Sequence, residues 1–231
     1  MNAFPPPAAR RRPASAAVLA CISLLAAAVA LASFRYLGGD VSAAPPELRA
    51  NFVQHRLAFL GHATAAAVAL LLLPLQLMLA RMKRRIIHRW VGILYVAAVT
   101  TAAVCAVPLA LSSFAGPVAG AGFIALAVLW LVCTWSGAAA AHAGAGGRHR
   151  CWMWRSAALT LSAVTLRLYL PLPPLLGFSY EDGYRVIAWR AGFPIWGFAS
   201  GGCGDRRRLR FSYRMPKQLS RRLAVRATLP K

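Results

Sequence analysis

The sequence predicts an all-α polytopic transmembrane helix bundle, with five spans in this chain and a sixth lost or scrambled after Trp189. Three observations predict it. Hydrophobic residues make up 59% of the 231-residue chain and the mean hydropathy is +0.55, above the range of soluble domains of this size. The apolar runs recur at about 20 residues each, the length that crosses a hydrocarbon core at 1.5 Å per residue. Lys and Arg collect at alternate ends of those runs, as membrane topology requires. A formal charge of +22 would suggest nucleic acid in a soluble protein, but basic residues flanking apolar runs set orientation instead, so no nucleic-acid partner is expected. The partner implied is the lipid bilayer.

Three segments follow. Residues 1–15 form a basic, Pro-rich cytoplasmic N-terminus, residues 16–189 a multi-span membrane domain, and residues 190–231 a basic tail. The first apolar run is Ala16 to Phe34. A signal peptide would show the same order, with Ala30-Leu31-Ala32 as a cleavage site, but the run is long for a signal core and further spans follow. An uncleaved first helix is therefore expected.

A polar connection with Asp40, Glu47, Arg49, His55 and Arg56 leads to a second span, Leu57 to Ala80, carrying His62 near one end and Gln76 near the other. The dense basic loop RMKRRIIHRW occupies Arg81 to Trp90. A third span runs from Val91 to Leu111, and a turn containing Gly116, Pro117 and Gly120 leads to a fourth, Ala121 to Ala141. The fifth, RHRCWMWRSAALTLSAVTLRLYL, runs from Arg148 to Leu170. At helical spacing His149, Met153, Ser156, Thr160, Ala163 and Arg167 fall on one stripe of it. Ionisable groups inside a span are costly and face a partner or a cavity, so this stripe marks the bundle side.

Placing the N-terminus in the cytoplasm puts the arginines of the first segment, the 81–89 cluster, Arg148, Arg150 and Arg155 inside. All four acids before the tail (Asp40, Glu47, Glu181, Asp182) then fall outside. Shifting the count by one span would scramble this sorting.

At IIHRWVGILYV (Ile86 to Val96), FIALAVLWLVCTW (Phe123 to Trp135) and HRCWMWRSAALTLSAVTLRLYLPL (His149 to Leu172), the chain resembles the predicted bacterial membrane proteins called domain of unknown function 2306. The resemblance spans about His55 to Trp189. It implies a helical bundle in the bacterial inner (plasma) membrane, without an established reaction.

The family pattern also implies a closing helix in which Trp is followed by a segment like Leu-Cys-Trp-Val-Pro-Asn-Leu, whereas this chain passes from Trp189 into RAGFPIWGFASGGCGDRRRLRF. One legal encoding from Trp189 onward, TGG CGT GCT GGG TTC CCA ATT TGG, becomes TGG CTG TGC TGG GTT CCC AAT TTG when one T is inserted after the fourth base. That reads Trp-Leu-Cys-Trp-Val-Pro-Asn-Leu. Residues from Arg190 onward are thus expected to be an out-of-frame tail. The other reading is a genuine basic extension, disordered or lying on anionic lipid. The tail holds 11 of the 27 basic residues.

Few residues carry recognisable chemistry. His62, His88 and His149 invite a haem b reading, since histidines from facing helices can clamp a haem iron inside a bundle. Against it, His88, His142 and His149 also suit a basic interfacial belt with Trp90 and Trp152. Zinc needs three or four converging ligands, and a cluster of His55, His62, Glu181 and Asp182 is as well explained by ion pairs with Arg56 and Arg167. Arg167 is a structural charge or faces an anionic or quinone-like head group, unless it snorkels to the outer interface. Arg150 and Arg155, with Arg148, can hold anionic lipid phosphates at the inner face. The five cysteines are scattered with no CxxC, and no nucleophile triad, phosphate loop or paired catalytic carboxylates occur. The expected function is therefore non-enzymatic, without a cofactor: a small-molecule- or lipid-binding or accessory membrane component. The alternative is a haem b electron-transfer protein.

Overall fold

Alanine, leucine and valine fill the first four long runs with no Asp, Glu, Lys or Arg in their interiors, so the backbone can satisfy its hydrogen bonds only within each helix once lipid surrounds it. In the computed structural model, which describes residues 14–170 and 172–190, all regular elements among those residues are helical. They are α1 (Ala14–Ser33), α2 (Pro46–Gln54), α3 (Arg56–Arg81), α4 (Arg85–Leu111), α5 (Gly116–His142), α6 (Gly146–Tyr169), α7 (Leu172–Leu175) and α8 (Tyr180–Arg190), with two short 3-10 turns between α1 and α2.

The predicted spans are present as helices with shifted starts. The basic loop shrinks to Met82–Arg84, where Lys83 takes φ 57, and Arg85 to Trp90 form the first turns of α4. Nothing in RIIHRW breaks a helix, so the apolar periodicity of α4 extends back through it. Gly116 and Pro117 open α5 rather than sitting in a loop, because proline suits the first helical turn, where its missing N–H costs nothing. Between α1 and α3, Asp40 accepts a 2.8 Å bond from the Ser42 amide and Pro46 starts α2.

Four helices among the described residues are long and apolar enough to cross a membrane: Ala17–Gly38, α3, α4 and α5. The 24-residue α6 is long enough too, but Arg148, Arg150, Arg155 and Arg167 keep it out of that set. The expected count of five spans is thus four by composition. The tail expected to be out of frame falls mostly on 191–231, outside the described residues, as does most of the basic N-terminal segment.

α3, α4, α5 and α6 form a ring in which each packs on the next and α6 returns to α3. This places α4 diagonally opposite α6. α1 lies against α3 and touches α6, while α8 lies on α5. The core is built largely from alanine: Ala69, Ala98, Ala102, Ala103 and Ala157 surround Tyr95, Val99 and Trp130. Lipid tails are as apolar as leucine, so span association depends on close backbone approach, which small side chains permit. Leu24, Leu57, Ile86, Trp90 and Leu111 are turned outward, each more than half exposed.

Candidate functional site

The polar side chains of the ring sit at three levels. At mid-depth, Tyr95 of α4 crosses the diagonal to α6. Its hydroxyl lies 2.6 Å from Thr160 Oγ1 and 2.9 Å from Ser156 Oγ. Trp130 of α5 donates its indole N–H to Thr160 Oγ1 at 3.0 Å, and Thr134 Oγ1 meets Ser156 Oγ at 2.7 Å. The hydroxyls of Thr134 and Thr160 also donate to the Trp130 and Ser156 carbonyls one turn back. Every member is buried and bonded. A fully satisfied network in a low dielectric fixes helix register and leaves no group free for catalysis.

Seven residues nearer the cytoplasmic ends expected from charge sorting, the same two stripes carry histidines. Seven residues make nearly two helical turns, so His88 stands over Tyr95 and His149 over Ser156, each about 10 Å along its axis. Their ring centroids are 6.3 Å apart with planes at 87°. His149 Nδ1 donates to the Gly137 carbonyl of α5 at 2.9 Å when it carries the proton, leaving Nε2 with its lone pair. Gln76 of α3 donates its amide to the His88 carbonyl at 3.0 Å. The Nδ1 of His88 is buried with no hydrogen-bond partner. Farther along α6, Arg155 lies over the Trp152 ring at 4.6 Å, and its Nε is also buried and unpartnered. Arg148 and Trp152 line a cleft of about 320 Å³ together with Ser136, Ala139 and Ala140 of α5 and Ala143 just beyond its end. Arg150 is exposed.

At the opposite end, His62 Nδ1 bonds the Ala102 carbonyl at 2.9 Å, tying α3 to α4. Arg167 reaches Ser33 Oγ of α1 at 3.0 Å and its own Ala163 carbonyl at 3.2 Å. The expected ion pairs of Glu181 and Asp182 with Arg56 or Arg167 do not form. Both acids pair with Arg185, one turn along α8, because helical neighbours are closer than residues on other elements. No group of three or more His, Cys, Asp or Glu among the described residues converges as a metal would need.

Of the predicted residues, then, the fold brings His88 and His149 together and sets His62 apart. Sequence reading passed over Tyr95, Trp130 and Thr134. The signal available was a hydroxyl or indole inside an apolar span, which must find a partner there.

The profile of the family described as Predicted membrane protein (DUF2306) matches residues 59–199, more than half of the chain. The protein belongs to this DUF2306 family. The match takes in α3 to α8, so the diagonal pair and the buried network both lie within the DUF2306 region, whereas α1 precedes it. No curated protein and no solved structure matches this chain.

Proposed function

We propose that this DUF2306 protein is a multi-pass component of a bacterial inner membrane, N-terminus in the cytoplasm, that catalyses no reaction itself. It binds an anionic lipid, or a small molecule with a similarly charged head group, at its cytoplasmic end. The observation that carries this is Arg155 laid over Trp152 beside the cleft holding Arg148. The exposed Arg148 guanidinium on the cleft presents its donors to an anionic oxygen, and phosphate accepts such donors well. Positive residues at this end, Arg81 to Arg89 and Arg148 to Arg155, support the orientation, because the four acids of the described residues lie at the other. On this reading α6 is the fifth span: Arg148 and Arg150 lie at one end and Arg167 near the other, while Arg155, one residue before Ser156, folds back over Trp152 toward the cytoplasmic end.

The test is lipid retention. Protein in nanodiscs of mixed composition should retain anionic phospholipid in preference to phosphatidylcholine, and Arg148→Gln with Arg155→Gln should reduce that preference several-fold. Equal retention of both lipids by the native protein would defeat the reading.

A second reading, a haem b electron-transfer protein, is favoured by one specific observation: the crossed His88 and His149 rings inside the bundle.

A further inference from the structure

We infer that His88 and His149 are the two axial ligands of a single haem b held between α4 and α6 at the cytoplasmic end, and that His62 is not a ligand. This rests on the haem reading and assigns its residues. Two metal–nitrogen bonds of about 2.0–2.1 Å each, with half an imidazole ring beyond each nitrogen, set the two ring centroids about 6 Å apart. The pair stands at 6.3 Å. α4 and α6 are diagonal partners joined by side chains rather than by close backbone packing, so a flat macrocycle between them separates no tightly packed helix pair.

The chemistry of the surroundings agrees. A ligating histidine normally donates its second ring N–H to a carbonyl, which sets its tautomer, and Gly137 O does this for His149. The ring of His88 still has a buried nitrogen whose bonding capacity is unspent. Haem supplies four of the six iron ligands itself and asks only two of the protein. A bare divalent cation needs three or more protein ligands, and no such group converges among the described residues. Haem propionates are anions. Arg85 and Arg89 flank His88 in the chain, Arg148 and Arg150 flank His149, and the four acids of the described residues lie at the far end. His62 also bonds a carbonyl through Nδ1, that of Ala102, but it belongs to that far end, where the one other histidine among the described residues, His55, comes from the turn before the same helix and not from across the bundle.

The full-length protein, expressed with added iron and haem precursor and purified in detergent, should carry one haem b per chain by pyridine haemochrome and iron analysis. Crossed imidazole planes should give a low-spin, strongly anisotropic electron paramagnetic resonance signal. His88→Ala and His149→Ala should each lose that low-spin signal and most of the haem, while His62→Ala keeps both. Imidazole added to His149→Gly should restore the low-spin spectrum, which a variant that had merely unfolded would not do. Low-spin haem retained by His88→Ala or His149→Ala would overturn the ligand pair while leaving the haem reading standing. Folded native protein that takes up no haem, even when titrated with haemin, would overturn both.

Discussion

Thr160 is where three helices meet through one oxygen. The Trp130 indole and the Tyr95 hydroxyl both converge on its Oγ1, while its own proton goes to the Ser156 carbonyl. Thr160→Val keeps the shape, strands the buried Trp130 indole N–H and leaves the Tyr95 hydroxyl only Ser156, so it should cost about 1–3 kcal/mol, with the lower end favoured in a membrane bundle. Tyr95→Phe removes one donor, leaves Thr160 bonded to Trp130, and should cost less; Thr160→Ser should restore most of the loss. Thermal unfolding in detergent reads all three, and an unchanged Thr160→Val melting temperature would mean the network is not formed. Outside the bundle, the Ser42 hydroxyl and amide hold the Asp40 carboxyl below its usual range. A lowered folded value means the bond contributes fully above the unfolded value and is lost as pH falls through the lowered one. Protection of the Ser42 amide, measured against its intrinsic exchange rate, should therefore fall only on acidification below about pH 4, and Asp40→Asn should remove that step.

At the scale of the element, α8 is held to α5 by close approach more than by area. A Cβ on Gly122 would lie 3.2 Å from the Ala188 carbonyl, and Trp189 and Arg185 donate to the carbonyls of Val118 and Ala115 at 3.1 and 2.8 Å. Gly122→Val should push α8 away, at about 1–3 kcal/mol, and raise protease sensitivity between Phe178 and Arg190 before the ring itself melts. Uniform destabilisation with no local cleavage would contradict this. α1 is tied to α6 through Arg167 and Ser33. Because that bond is to a neutral hydroxyl and the arginine is exposed, Arg167→Leu should cost less than about 1 kcal/mol and loosen α1 alone. A collapse in folded yield would instead mean that Arg167 has a stronger internal partner. Pro74 and Pro108 sit inside α3 and α4, where each removes one backbone donor without ending its helix.

For the whole molecule, the proposed topology predicts that reporters fused at Lys83 and at Gly146 read out on the same, cytoplasmic side, and one at Ser113 on the other. Opposite readings at Lys83 and Gly146 would refute the threading, as would release of the protein from membranes by carbonate. If the frame after Trp189 is broken, restoring it in the gene should raise membrane accumulation; no nucleotide frame yielding Trp-Val-Pro-Asn near codon 190 would refute that instead. Much of the fold was readable because each span carries its own signal: apolar runs longer than the bilayer and arginines that cannot stay in it. α6 shows the limit, since four arginines hide a helix of full length from a hydropathy measure while the stripe from His149 to Thr160 still marks its inward face. The site was readable only as a set of residues, with His62, His88 and His149 standing on equal terms. By itself the sequence determined that the chain belongs in a membrane and which face of α6 turns inward, because burial pattern and charge are local properties of a span. Only the tertiary structure decided that His88 meets His149 while His62 bonds a carbonyl, and that Tyr95 meets Thr160. Which helices stand diagonally opposite depends on how four backbones pack together, and no single stripe encodes that.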